Sequence, residues 1–267
     1  MDCSGARAVA EAILEIEGLT KRFGGVLASD GISLALPRGE LHALIGPNGA
    51  GKTTLIGQLT GEIAPDEGRI RFDARDVTAL PVYRRSQLGL ARSFQIASLF
   101  AEFTALDNVA LAVQAHAGHS FRFWRDARRE PRLREPAHDA LMRAGLAARA
   151  DVAVAELSHG ERRQLEIAMA LATRPRMLLL DEPMAGMGPE ESTRLVEMLR
   201  QLKGGITTIL LVEHDMDAVF ALADRISVLV YGRIIASGEP ATIRADAAVR
   251  EAYLGEPDAV RQETWNG

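Results

Sequence analysis

The 267-residue sequence has one cysteine, Cys3, and only three lysines, Lys21, Lys52 and Lys203, among its 31 basic residues. A lone thiol excludes an intrachain disulfide and a cysteine-built metal site, and it fits a reducing compartment. The scarcity of lysine reads as codon bias toward arginine, and it makes each lysine informative about its own position. No uninterrupted apolar run approaches the roughly 20 residues that span a bilayer. The N-terminus, Met1-Asp2-Cys3-Ser4, puts no basic head before an apolar stretch, so neither a secretory signal nor a lipid-attachment signal is expected. Any membrane role then has to run through a partner. Nor is positive charge in excess: a net charge of −5 gives no general attraction to nucleic acid or anionic lipid. What is present is ordinary for a folded chain. With 47% hydrophobic and 25% charged residues, it is too apolar for disorder. It is also long enough to bury a sizeable core in one or two domains.

Residues 1–12 read as a frayed leader. Short apolar runs follow, Ile13–Ile16 and Ile32–Leu36, closed by turn formers such as Pro37-Arg38-Gly39, then Leu41–Ile45 and Arg69–Phe72; these are expected strands, with Asp73–Asp76 as a turn. From about Gln87 to Thr173 the texture becomes helical, with apolar spacing of 3 and 4 over Leu106–Ala117 and Ala137–Ala148. Between them Phe121–Glu135 carries six arginines and three acids; it reads as a solvated loop or linker, with a partner-binding patch as the other reading. His116 and His119 stand three apart with no third ligand in view, which does not make a metal site. Strands return at Met177–Leu180 and Ile206–Val212, continuous apolar runs of the kind buried on both faces of a parallel sheet. Each is followed by a helical stretch, Pro189–Leu202 and Met216–Ala223. Ile226–Tyr231 and Arg233–Ala236 read as closing strands around Gly232, and the last 28 residues as short helices. No internal repeat or low-complexity tract is present.

Leu41–Ile45 leads into Gly46-Pro47-Asn48-Gly49-Ala50-Gly51-Lys52-Thr53, which fits G-x-x-x-x-G-K-[ST]. Glycines let successive N–H groups turn toward phosphate oxygens, and the helix that follows adds the partial positive charge of its N-terminus. Lys52 can reach the β- and γ-phosphates and the Thr53 hydroxyl can ligate Mg²⁺; Thr54 follows as a further nucleotide contact. A chance match in a chain of this length occurs on the order of once in a hundred. The strand Met177–Leu180 then delivers Asp181 and Glu182 to its C-terminal end, where ligands sit in α/β sheets. Asp181 can hold the Mg²⁺ shell, and Glu182 can orient and deprotonate a water aimed at the γ-phosphate. The pair could instead cap a helix, but Pro183 and Gly186 argue against a helix starting there.

Leu157-Ser158-His159-Gly160-Glu161 opens the apolar-periodic stretch Arg162–Ala172. Ser158 and Glu161 form S-x-x-E, a helix capping box, which could account for both residues. The run also resembles the Leu-Ser-Gly-Gly-Gln signature of the ATP-binding cassette (ABC) family. Gln95 then matches that family's Q-loop glutamine, His214 in Glu213-His214-Asp215-Met216 its switch histidine, and Phe23 its adenine-stacking aromatic. The order of these elements over residues 13–240 is the family's. Two departures stand out. His159 and Glu161 replace the usual Gly and Gln, and Ala185-Gly186-Met187-Gly188 lacks the common D-loop aspartate, which leaves contacts across a dimer open. Glu213–Met216, Ala185–Gly188, Ile235–Gly238 and Ala252–Gly255 further resemble the branched-chain amino acid importer ATPases, a lineage that also serves urea and short amides.

The resemblance implies an α/β fold: a P-loop NTPase cassette with a mostly parallel core sheet, an N-terminal antiparallel β portion and a helical subdomain insertion. Residues 13–255 would form one domain. Within it, 13–86 and 174–240 would make the core with its β portion, and 87–173 the helical subdomain; 241–267 would make a C-terminal helical tail. The implied activity is ATP hydrolysis with Mg²⁺, coupled to a membrane importer for branched-chain or other hydrophobic amino acids. Glu182, His214 and Gln95 would be catalytic, and Thr53, Gln95 and Asp181 would lie around the metal. The nucleotide would be bound by Phe23, Gly46, Pro47, Asn48, Gly49, Ala50, Gly51, Lys52, Thr53 and Thr54. Two ATPase subunits, identical or different, would close head to tail, so that Ser158, His159, Gly160 and Glu161 of one complete the site of the other. The implied partners are two membrane permease subunits and, indirectly, an extracytoplasmic solute-binding protein, with no nucleic acid. The place is the cytoplasmic face of the inner (plasma) membrane. A lipopolysaccharide-type exporter and a soluble ABC ATPase are the other readings. The second usually fuses two cassettes or inserts a long coiled coil, and neither is present.

Overall fold

The computed structural model describes residues 11–93, 99–117, 130–203, 205 and 207–254. Gln95, His119, most of the arginine-rich stretch, the leader through residue 10 and the tail from residue 255 lie outside them.

Two sheets form the frame. Strands β1 (Ala12–Phe23), β2 (Val26–Pro37), β4 (Glu67–Phe72) and β5 (Arg75–Asp76) make an antiparallel sheet in the order β2-β1-β4-β5. The second sheet runs β10-β9-β3-β8-β7-β6, built from β3 (Leu41–Ile45), β6 (Leu90–Arg92), β7 (Met177–Asp181), β8 (Thr208–Val212), β9 (Arg225–Val230) and β10 (Arg233–Gly238). Its strands from β9 to β6 are parallel, and β10 is an antiparallel edge. Helices α1 (Lys52–Thr60), α2 (Val82–Gln87), α3 (Ala105–Ala117), α4 (Pro131–Arg143), α5 (His159–Ala172), α6 (Pro189–Leu202), α7 (Met216–Leu222), α8 (Pro240–Ala245) and α9 (Ala247–Leu254) complete the described fold.

The central strands are apolar along their whole length because both faces are covered, and successive side chains go to opposite faces. Leu178, Leu180, Ile209 and Leu211 join one core with α3, α4, α5, α6 and α7. Met177, Leu179, Leu210 and Val212 join a second core with α1 and the antiparallel sheet. Among the described residues no helix is long and apolar enough to cross a membrane.

Four elements differ from expectation. β1 and β2 are 12 residues each, far longer than the apolar runs that announced them. Gly18 and Gly31 are left-handed residues inside the strands, and the register shift between Ile16 and Leu19 marks a bulge. Leu90–Arg92 lies within the stretch read as helical, yet pairs in parallel with β7 as part of the core sheet. Residues 131–135, read as loop, are the first turns of α4, with Pro131 at its start, where a missing N–H costs nothing. That helix stops at Arg143 instead of running to Ala148, because Gly145 turns the chain at φ 73° and Ala147–Arg149 form a separate 3-10 turn.

Candidate functional site

The phosphate loop hangs between β3 and α1. Its two outer glycines are required by close backbone approach: a Cβ on Gly46 would collide with the Leu229 carbonyl oxygen, and one on Gly51 with that of Ala28. Gly51 is also left-handed at φ 105°. No side chain caps α1, and its first turn contains no acid. The N-terminal amides and their partial positive charge therefore have no cap and no acid of their own first turn to satisfy them, which suits anion binding. Asn48, Gly49 and Thr53 are exposed, while Pro47 and Thr54 are half-buried and Ala50 is buried. Lys52 is buried, its Nζ donating to the carbonyls of Gly46 at 2.5 Å and Pro47 at 3.0 Å.

β7 lies beside β8 in register, Asp181 opposite Val212. Asp181 is buried, and burial pushes its carboxyl above the ordinary range, against the opposing pull of Arg92 and Lys52. Arg92 of β6 donates to Asp181 Oδ2 from Nη2 at 3.0 Å, while its Nη1 holds both Glu62 oxygens at 2.8 and 3.0 Å. Glu182 is half-buried and left-handed, φ 48°, its N–H bonded to the Val212 carbonyl at 2.8 Å. That conformation breaks the strand at the residue after Asp181, and no helix begins before Pro189. Across the strand ends His214 is exposed. Glu213, 1% exposed, accepts from Met184 N at 2.9 Å and from His214 N at 2.9 Å. Its one carboxylate pins the loop after β7 to the loop after β8.

An oxygen-only donor set, the exposed Thr53 hydroxyl and the buried Asp181 carboxylate, suits a hard divalent cation such as Mg²⁺. Among the described residues no group of three or more His, Cys, Asp or Glu is arranged as a metal cage. Phe23 ends β1 about half exposed, with Lys21 Nζ 5.5 Å from its ring centre.

The Ser158–Glu161 turn has its contacts elsewhere. Ser158 caps α5 in a full capping box: its Oγ accepts from Glu161 N at 3.2 Å, and Glu161 Oε2 accepts from Ser158 N at 2.8 Å. Ser158 Oγ also donates to Glu191 Oε1 at 3.1 Å, and Gly160 N donates to the same oxygen at 3.2 Å. His159 Nε2 lies 3.4 Å from the Ala185 carbonyl. The structure thus joins Lys52, Asp181 and Glu182 at one end of the parallel sheet, with His214 on the adjoining strand end. It sets Ser158, His159 and Gly160 against Ala185–Glu191.

Sequence reasoning did not single out Arg85, Arg92 or Glu191. Arg85 is fully buried and donates to four carbonyls, Gln58 at 2.6 Å, Leu59 at 2.7 Å, Leu80 at 2.9 Å and Thr78 at 3.0 Å. Two of these are in the last turn of α1, so a cation sits at the negative end of the helix whose other end is the phosphate loop. No local spacing signals such a contact; Arg85 is one of many arginines in the chain.

Comparison with known proteins shows the family and the fold. The family model described as "ABC transporter" matches residues 29–185. A model described as "Branched-chain amino acid ATP-binding cassette transporter" matches residues 233–259. The chain is 40% identical over 250 residues to the high-affinity branched-chain amino acid transport ATP-binding protein BraF of Pseudomonas aeruginosa, covering 91% of this chain and 98% of that one. It is 39% identical over 256 residues to LivG of Escherichia coli, of the same description, covering 93% of this chain and 100% of that one. Among solved structures it is similar to the ADP conformation of MJ1267, an ATP-binding cassette of an ABC transporter. The TM-score is 0.81 at 32% identity, covering 92% of this chain and 100% of that one.

Proposed function

The chain belongs to the ABC transporter family, and from that premise we propose that it is the subunit that binds and hydrolyses ATP to power a membrane importer of branched-chain amino acids. The observation that carries this reading is the meeting of an uncapped, acid-free helix N-terminus, a buried Lys52 and the Asp181-Glu182 strand end at the C-terminal end of a parallel sheet.

In this reading the backbone N–H groups from Gly46 to Thr54, Pro47 having none, and the Lys52 ammonium hold the phosphates, and Phe23 stacks on the base. Thr53, Asp181 and Gln95 would hold a Mg²⁺ ion, which would supply positive charge against the phosphates. Glu182 accepts a proton from a water as the water's oxygen bonds to the γ-phosphorus and the bond from that phosphorus to the bridging β-phosphate oxygen breaks, leaving ADP and phosphate. His214 contacts the γ-phosphate. The left-handed turn at Glu182 and the Glu213 clamp supply the rigidity this needs. Ser158 and Gly160 of a second ATPase subunit, identical or not, close the site. Their hydroxyl and N–H suit a phosphate.

Residues 13–255 act as one domain, with its helical part turned toward two permease subunits. A groove of about 390 Å³ between that part and the core, lined by Thr60, Tyr83, Leu90, Ala112, His116 and Met169 among others, suits an apolar protruding segment of such a partner. Attachment would be peripheral, on the cytoplasmic face of the inner membrane, with an extracytoplasmic solute-binding protein supplying the cargo.

The test is uptake of labelled leucine and urea in cells with and without the gene, together with co-purification from native membranes. Loss of leucine uptake, with permease and solute-binding proteins retained on the chain, is expected. Loss of urea uptake alone would overturn the substrate, and an outer-envelope lipid defect without an uptake defect would overturn import.

A further inference from the structure

The Ser158–Gly160 turn already holds an anion, and it is one of the chain's own. Glu191, in the first turn of α6, extends its carboxylate to the start of α5. There Oε1 accepts from both Ser158 Oγ at 3.1 Å and Gly160 N at 3.2 Å. Its other oxygen lies 3.5 Å from Gly188 N. These hydrogen bonds, that from Ser158 foremost, hold the carboxyl below the usual glutamate range, so it is ionised at neutral pH.

Two backbone facts make the reach possible. A Cβ on Gly160 would stand 2.8 Å from the Glu191 carboxyl carbon, so any side chain there would push the carboxylate out. Gly188, where the family commonly has an aspartate, leaves open space beside the helix start. An aspartate there would put a second negative charge close to Glu191. The departure at Gly188 thus lies beside the contact that Glu191 makes with the family-like Ser158 and Gly160, and the departure at His159 sits on the same surface at 3.4 Å from Ala185.

A hydroxyl and an amide that point at one carboxylate oxygen are the donors a phosphate oxygen would use. Two anions cannot share them. We infer that Glu191 is a residue of the reaction cycle: it competes with the γ-phosphate on the opposing subunit for the Ser158–Gly160 turn, and so sets how much ATP is needed to close the dimer. Closure releases the carboxylate to solvent. After hydrolysis it returns to the turn and helps the subunits part. Because the coupling is reciprocal, whatever holds Glu191 in place weakens ATP-driven closure by the same factor. The inference rests on the head-to-tail engagement proposed above.

The test uses the full chain with E182Q, so that closed dimers accumulate, titrated with MgATP and followed by sedimentation velocity. Adding E191Q keeps the shape but removes the charge that competes for the turn. The half-maximal ATP concentration for dimerisation is expected to fall roughly five- to tenfold, toward the low end of common coupling strengths. Adding E190Q instead removes an identical charge one residue away, on a side chain about nine-tenths exposed, and should leave the curve in place. Coincident curves with and without E191Q, whether both rise or both stay flat, would overturn the role of Glu191. So would an equal shift from E190Q. S158R in the E182Q chain tests the engagement separately. A dimer that survives S158R overturns the head-to-tail reading. A dimer lost to S158R but indifferent to E191Q overturns only the competition. Thermal melts of each variant identify any that fail to fold.

Discussion

Arg92 and Asp181 form an ion pair at 3.0 Å that ties the edge strand β6 to the end of β7, with Asp181 almost wholly buried. The same guanidinium grips Glu62 just past α1. It therefore spans three segments: the end of the helix that starts at the phosphate loop, the strand before Gln95, and the carboxylate proposed for the metal shell. The Arg92 and Glu62 side chains also line the groove proposed for a permease.

Arg92→Ala leaves Asp181 buried without its partner. The cost at neutral pH is expected to be about 1–3 kcal/mol, below the range for fully buried pairs because Arg92 keeps some solvent contact. The pH dependence has a definite sign. Burial raises the Asp181 pKa in the folded state, and losing Arg92 raises it further. The native state then binds a proton more tightly than the unfolded chain, so stability falls as pH rises through this window above the ordinary aspartate range. Melting curves should show the variant's deficit largest at pH 7 and shrinking as the pH is lowered; a deficit that grows on acidification would contradict the pairing.

Lys52→Ala should abolish productive ATP binding, since it removes the charge from a site otherwise built of neutral amides. Glu182→Gln should bind ATP as before and lose hydrolysis by roughly 10²–10⁴-fold, the usual worth of a positioned base. Equilibrium nucleotide binding and steady-state turnover, measured side by side, separate the two effects.

Glu213→Ala should slow turnover with little change in ATP affinity, because the carboxylate touches the two loops and not the phosphate loop. Misplacing catalytic groups by about 1 Å can cost on the order of 10²-fold. A fall in KM-normalised affinity with kcat untouched would show that the clamp has been misread.

Arg85→Ala should destabilise the chain by about 3 kcal/mol or more, since four buried carbonyls lose their donor at once. Lysine, a point donor, should recover only part of the loss. Chemical denaturation is the direct measurement.

Much of the frame was legible because its signals are local. The apolar runs at β3, β7 and β8 are long enough to mark buried strands, and Pro189 announces α6 at its first residue. What escaped was either too short or non-local. Three-residue β6 has no periodicity of its own and is a strand only because β7 lies beside it. β1 and β2 run well past their apolar runs, through left-handed Gly18 and Gly31, because a strand continued across a bulge carries no apolar signal of its own. The arginines and acids of Phe121–Glu135 suggested a loop, although α4 buries Leu133, Ala137, Ala140 and Leu141 along one face. The capping box at Ser158 could be read from its spacing. Glu191 could not, because an acid in the first turn of a helix is ordinary until a neighbouring turn is folded against it.

The strand order β9-β3-β8 also sets a timetable. β3 leaves the ribosome early, but both its neighbours in the sheet, Thr208–Val212 and Arg225–Val230, are among the last strands to be translated. The loop after it is held by Gly232, whose N–H bonds to Ala50 O at 2.8 Å and whose carbonyl receives Asp30 N at 2.9 Å. A nascent chain therefore carries its phosphate-loop sequence long before it carries the loop's conformation. Such late, long-range closure is slow compared with local helix formation, and a ribosome that stalls before Val230 releases a fragment with no nucleotide pocket to engage.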